Sequence, residues 1–225
     1  MGYPRCMPDH SPDIIDSLPL FPLPRVVLLP HTLLPLHIFE PRYRALVASS
    51  IEDGLIFGIP TIREGGAASD ACPPFHSVMG LAQIVRHQDL PDGRSNIVVL
   101  GVGRAELLEE LDTPAVPYRV ARCRRLDDIR DPTPPAPQTS AKLNQLRLAA
   151  MQVVYGRADV TEDVECLLTP DRDPAEVVDV LAHMCLRCAT DRLEYLKLSS
   201  FSERADLLLA TLTSILYAKR DVPED

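Results

Sequence analysis

Three groups of residues have types and spacings that could do chemistry. His183, Cys185 and Cys188 combine an imidazole with two thiols, the usual ligands of zinc. A structural zinc site ordinarily needs a second CxxC pair, and this chain has one such spacing. On a helix, Cys185 and Cys188 fall on the stripe of Val177, Leu181 and Met184, while His183 points roughly the other way. Both cysteines are therefore expected as buried core thiols, and no metal is expected. His31 and His37 could each act as the base for a nucleophile, but no nucleophile elbow or other ordered signature accompanies them. They read as hydrogen-bonded or exposed strand histidines. Gly101 and Gly103 before Arg104 suggest a phosphate loop, yet position 106 is Glu where a dinucleotide fingerprint needs its third glycine. Glycines so placed in a strand mark a bulge or a close backbone approach. The sequence thus supplies no catalytic residue and no cofactor site.

A fourth group is of another kind. Phe39, Glu40, Arg42 and Tyr43 put an aromatic ring, opposite charges and a phenol where an apolar run gives way to helical spacing, just after Pro35 and His37. An ion pair and packing that simply pin the bend are one reading. The other is a groove for an extended peptide beside a sheet edge, formed by Pro35, His37, Phe39, Glu40, Arg42 and Tyr43 with Arg104.

The elements that must position these residues follow from periodicity and punctuation. Residues 25–29 and 33–39 are short apolar runs bounded by Pro22, Pro24, Pro30 and Pro35, which reads as strands at an edge or beside bulges. Pro41 opens a helix carrying Tyr43, Leu46, Val47 and Ile51, and Gly54 ends it before a strand over 55–59. Residues 61–74, with Gly65, Gly66 and two prolines, read as a surface loop. Residues 76–87 and 96–102 form a hairpin around Asp92 and Gly93, and 118–126 is the last strand. Four helices follow. One runs from a cap at Ser140 to Gly156 with Leu143, Leu146, Ala150 and Val153 on one face, one is capped by Asp173, a short one by Thr190, and the last opens on a capping box of Ser200 and Glu203.

Several ordered segments now carry a resemblance. PLFPLPRVVLLP, then LPLHIFEPRYRALV and IFGI, then GLAQIVRHQDLPDGRSNIVVLGVGRAEL and PYRVARCRRLDD, together resemble the N-terminal substrate-binding domain of Lon-type ATP-dependent proteases. The resemblance implies an α+β fold: an N-terminal β-rich pseudo-barrel, PUA-like in the Lon manner, followed by a C-terminal helical bundle. Composition and periodicity divide the chain into a flexible arm over 1–16, a β-rich subdomain over 17–127, a proline-rich connector over 128–139, a helical subdomain over 140–220 and a tail over 221–225. The resemblance also implies a module that binds unfolded or extended polypeptide, and without a phosphate loop or serine–lysine dyad in the sequence a free-standing, non-catalytic module is expected, an adaptor in protein quality control with a protease or chaperone as partner. RNA binding is the alternative, because barrels of this type hold RNA in other families; an uncharacterised hydrolase would rest on nothing ordered in the sequence.

Composition narrows the choice. The chain has 225 residues, 46% of them hydrophobic, with 22 prolines and no tryptophan, enough for a Leu, Val and Ile core cut by many turns. Net charge is −9, and both parts are acidic: 10 basic against 15 acidic residues after position 139, 13 against 17 before it. That disfavours nucleic acid, although Arg119, Arg122, Arg124 and Arg125 make one basic cluster, read as a solvated strand face. Six cysteines without framework spacing fit reduced thiols, and no window is apolar enough to span a bilayer or act as a signal peptide. A cytoplasmic protein without membrane contact is expected. No glycine is followed by lysine, and Lys142, Lys197 and Lys219 all sit on expected helices without the context of a serine–lysine dyad. The purified chain is accordingly expected neither to hydrolyse ATP nor to cleave casein, read as phosphate release and as gel-resolved fragments.

Overall fold

The computed structural model describes residues 14–65, 72–127, 137–154 and 173–220. Eight strands come first, with one helix among them: β1 (Ile14–Leu20), β2 (Leu23–Pro24), β3 (Leu33–Ile38), α1 (Pro41–Asp53), β4 (Phe57–Ile59), β5 (Thr61–Ile62), β6 (Val78–Asp89), β7 (Ser95–Leu111) and β8 (Arg119–Arg125). Four helices follow: α2 (Pro137–Val154), α3 (Pro174–Cys185), α4 (Ala189–Lys197) and α5 (Phe201–Arg220). This is the expected α+β arrangement.

The six longer strands run in the order β3-β7-β6-β4-β1-β8, and a further pairing of β7 with β8 closes five of them into a ring. β7 can serve three neighbours because it is long: its first half pairs with β3, its second with β8, and most of its length with β6. Register shifts between Leu81 and Ala82 and between Leu107 and Glu109 bend the ladder enough for closure. The first of these leaves Val102 as the extra residue between Gly101 and Gly103, the bulge expected from the glycine spacing. β3 has β7 as its one sheet neighbour among the described residues, so it hangs outside the ring with one edge unpaired.

Residues 25–29 are not the strand expected from their composition. Arg25 turns the backbone through φ 59°, and the Leu28 and Leu29 main chain then crosses β6 and β7 at Gly80 and Gly101. A Cβ at Gly80 would collide with the Leu28 carbonyl oxygen, and one at Gly101 with that of Leu29. Proline on either side and this close crossing leave the segment without a ladder partner among the described residues. The Thr32 hydroxyl donates to the Leu29 carbonyl at 2.8 Å, and Gly101 donates its N–H to the Thr32 carbonyl at 2.9 Å, which locks the crossing before β3 begins.

Other differences are smaller. β1 starts at Ile14 and pairs with β8, taking in the last residues of the segment read as an arm. Thr61 and Ile62 are buried as β5, which runs parallel to β2, whereas residues 61–74 were expected as surface loop. α2 begins at Pro137, three residues before the expected Ser140 cap, and Gly156 and most of the proline-rich connector lie outside the described residues. α4 is capped by Cys188 instead of Thr190. Asp173 caps α3 through Ala175 N–H at 2.9 Å, and Ser200 and Glu203 exchange the bonds of a capping box.

Three apolar clusters hold these parts. One lies inside the ring, around Leu18, Leu20, Met79, Leu81, Ala105 and Ala121. A second lies under α1, where Tyr43, Leu46 and Val47 cover Ile38, Ile97 and Val99. The third is the helical core, and the barrel contributes Val27, Leu29 and Val78 to it. Two of those three come from the crossing segment, so the two layers share one packed interface. Gly101→Ala should therefore do more than strain one residue: the added methyl meets backbone, the crossing must move, and urea unfolding is expected to show a loss of about 3 kcal/mol. Gly54→Ala, with φ 65° but open space around the Cβ, should cost about 1 kcal/mol.

Candidate functional site

The bend after β3 is built by alternation. In an antiparallel ladder only alternate residues exchange bonds with a given neighbour, and Pro35, opposite Val98, has no N–H to offer β7. The bonded positions are then Leu34 and Leu36, and the backbone groups of Leu33, Pro35 and His37 turn to the unpaired edge. Side chains alternate in step. Ile38 is buried, Leu34 and Leu36 pack against the core under α1, and Leu33, Pro35 and His37 are exposed. Leu33 is 57% exposed and Phe39 59%, two of the most exposed large apolar residues among those described. The His37 and Phe39 rings stack with centroids 6.1 Å apart. His37 Nδ1 is 2.8 Å from Asn96 Oδ1, which fixes the ring over β7.

Past the strand, Pro41 starts α1 and the chain turns inward. Arg42 Nε donates to Glu40 Oε2 at 2.9 Å, and its guanidinium lies 4.6 Å from the Tyr43 ring centroid. Tyr43 is buried, its ring 4.0 Å from that of Phe21, and this burial raises its phenol pKa. Pro35, His37 and Phe39 thus form an outward row, while Glu40, Arg42 and Tyr43 pin the start of the helix behind it. A cavity of about 270 Å³ opens on the inner side, between Arg42 and Tyr43 on one wall and Thr113, Tyr118 and Arg119 on the other. Arg119 is held by Glu110 at 2.6 Å and stacks on Phe75, so the charge there is already compensated.

Arg104 does not join this group. It is 2% exposed, and its Nη1 donates to the carbonyls of Leu196 at 2.8 Å and Leu198 at 2.5 Å, closing the end of α4. A guanidinium among otherwise orphaned helix-end carbonyls is a structural tie between barrel and helices. Beside it, Arg204 donates to Leu198 O at 3.0 Å and reaches Asp179 Oδ1 at 3.3 Å. Asp179, fully buried, also accepts from the Tyr195 hydroxyl at 2.7 Å and pairs with His31 Nδ1 at 3.0 Å. Sequence reasoning missed this network. Its signal was a pair of charges, Arg104 and Asp179, at positions whose neighbours are apolar.

The remaining sequence candidates are ordinary side chains in this fold. Cys185 is buried, and burial pushes its thiol up to about 11. Cys188 is exposed, contrary to expectation, because α3 ends at Cys185 and Leu186 is extended at φ −77° and ψ 110°, so helical counting stops there. Its Sγ accepts from Asp191 N–H at 3.3 Å as the cap of α4. Among the described residues no three His, Cys, Asp or Glu side chains converge as a metal site. Arg119, Arg122 and Arg124 each meet an acid, Glu110, Asp16 and Glu106 respectively, which offsets three of the four charges of the basic strand face.

A family model described as the ATP-dependent protease La (LON) substrate-binding domain matches residues 17–214. The chain belongs to the Lon substrate-binding domain family. It is 23% identical over 197 residues to the Lon protease of Parabacteroides distasonis and 25% over 197 to that of Chloroflexus aurantiacus, covering 88% of this chain in both cases and 24% and 23% of those proteins. The chain therefore spans about a quarter of the length of these relatives. Its fold resembles the N-terminal domain of the Mycobacterium avium complex Lon protease, with a TM-score of 0.67 at 16% identity, covering 88% of this chain and 98% of that one. It also resembles a Lon N-terminal domain protein from Xanthomonas campestris, with a TM-score of 0.63 at 23% identity over 87% and 98% of the two chains. No helix among the described residues is long and apolar enough to cross a membrane.

In this Lon-type domain the link between layers is titratable. The hydrogen bond to Asp179 raises the His31 pKa above its ordinary 6.5, outweighing partial burial, and the charges of Asp179, Glu176 and Asp173 act in the same direction. A histidine raised on folding contributes stability that is complete below its unfolded pKa and lost as pH rises through the folded value. His183 and His76, lowered mainly by burial, titrate in the opposite sense. The difference between wild type and His31→Asn removes those contributions, and Asn tolerates the φ of 60° at this position. The melting-temperature advantage of wild type over His31→Asn should be largest near pH 6 and shrink as pH rises toward 8.5.

Proposed function

We propose that this chain binds extended polypeptide along the unpaired edge of β3, with Leu33 and Phe39 as apolar anchors and the bend at Glu40, Arg42 and Tyr43 fixing the end of the groove. The observation that carries this reading is the edge itself: one sheet neighbour, outward backbone groups at residues 33, 35 and 37, and two apolar side chains more than half exposed beside it. An edge of this kind is completed by an added strand, whose main chain supplies affinity and whose alternate side chains supply specificity. Pro35 guards the same edge against self-association by withholding one donor. Membership of a substrate-binding family supports polypeptide as the ligand.

As a non-enzymatic adaptor in protein quality control, such a domain would present clients to a protease or chaperone in the cytoplasm. RNA binding through the barrel is the weaker reading, since three of the four arginines of the basic face are paired with acids and the net charge is −9.

Ordering a flexible peptide offsets most of the gain from one strand edge, so micromolar or weaker affinity is expected, about −8 kcal/mol or less in magnitude. Phe39 and Leu33 are exposed enough to change without opening the core, whereas Tyr43 is core and a poor probe. Phe39→Ser with Leu33→Asp should reduce binding to an array of denatured-protein peptides at least tenfold, about 1.4 kcal/mol, with the melting temperature unchanged. Binding equal to wild type by the folded double variant would remove the groove from β3.

A further inference from the structure

The other end of α1 carries a second notch. β4 pairs with β6 only as far as Ala82, while β7 accompanies β6 to Asp89, so residues 83–89 have one sheet neighbour among the described residues. The register shift between Ile84 and Arg86 makes Val85 the extra residue of a bulge and turns it outward, 51% exposed. Facing it are Ile51 and Leu55 at the end of α1, 46% and 43% exposed. These three residues rim a cavity of about 270 Å³, a little smaller than a pocket for a drug-sized ligand and suited to a side chain. Ser50 also lines it. That residue is 4% exposed, and its buried hydroxyl has no hydrogen-bond partner among the described residues. Buried hydroxyls are normally paired, so this one is open to a polar group entering the cavity that the residue lines.

We propose that this notch takes a short, uncharged, apolar stretch of another polypeptide as a strand added to β6 over residues 83–87, with one apolar side chain among Ile51, Leu55 and Val85 and a peptide polar group at Ser50 Oγ. The occupant follows from the surface. An unpaired strand edge is completed by extended backbone, which neither a helix nor a lipid chain supplies. The flanking charges are of both signs, Glu52 and Asp53 in the last turn of α1 against Arg86 on β6, which matches an uncharged segment and rejects a polyanion. The inference rests on the polypeptide-binding reading but uses a separate edge. The notch and Phe39 lie at opposite ends of a 13-residue helix, about 20 Å apart by its rise, so a client with two apolar stretches can engage both and gain avidity.

The test is a titration of the full chain with a fluorescent, proline-free decapeptide of alternating Val and Thr carrying one central Phe, read by anisotropy and by amide chemical shifts. Amides of residues 83–87 are expected to shift, and to shift equally in the Phe39→Ser, Leu33→Asp variant. Ser50→Ala should hold or raise the melting temperature while weakening binding about threefold to tenfold in that background, and Val85→Asp should abolish the residual binding. If the β3 amides move and those of 83–87 stay still at saturation, the notch is not a site although the polypeptide-binding reading stands. If neither edge responds, both readings fail. Dimerisation of the free chain that Val85→Asp abolishes would make a second copy the occupant and overturn the proposal.

Discussion

The crossing of Leu28 and Leu29 over Gly80 and Gly101 is the constraint from which the rest of this structure follows. Backbone can approach backbone so closely only where both underlying positions lack a Cβ. The crossing delivers Val27 and Leu29 into the helical core on one side of the ring. It then sets His31 against Asp179 and lays β3 on the outside of β7. Remove it and the helices lose part of their platform, and β3 loses the anchor that fixes its register.

That register decides what the surface can do. Because Pro35 must sit at a position that does not bond to β7, the odd residues of β3 face outward with their side chains while their backbone points to the open edge. A shift by one residue would expose Leu34 and Leu36 and bury His37. Chemistry at this site is therefore recognition by main chain and apolar contact. The buried charges are committed instead to structure: Arg104, and Asp179 through His31, join the two layers, while Arg204 ties α5 to Asp179 and Leu198 within the helical one.

Much of this was legible in the sequence, for local reasons. Pro41 and Gly54 bracket α1, with Gly54 left-handed at φ 65°, and Asp92 and Gly93 turn the β6–β7 hairpin, with Gly93 at φ 76°. The Ser200 and Glu203 capping box opens α5. These signals act within a few residues. What was not legible depends on distant partners. Apolar content marked residues 25–29 as a strand, but only the tertiary approach to two glycines shows why they make no ladder. Arg104 looked like a groove residue because its partners, two carbonyls more than 90 positions away, leave no mark on nearby sequence. Leu33 was within reach of sequence reasoning, since it shares the parity of Pro35 and His37. Val85 was not, because its outward aim comes from a bulge set by β7.

Strand addition at β3 makes a demand that no other mode of binding shares. The outward N–H groups of Leu33 and His37 must pass from solvent to a peptide carbonyl, while those of Leu34 and Leu36, already bonded to β7, are little affected. Amide hydrogen exchange resolved by residue, with and without a saturating denatured-protein peptide, reads this directly. The account predicts strong slowing at Leu33 and His37 with little change at Leu34 and Leu36. Unchanged exchange at Leu33 and His37 under saturation would contradict it.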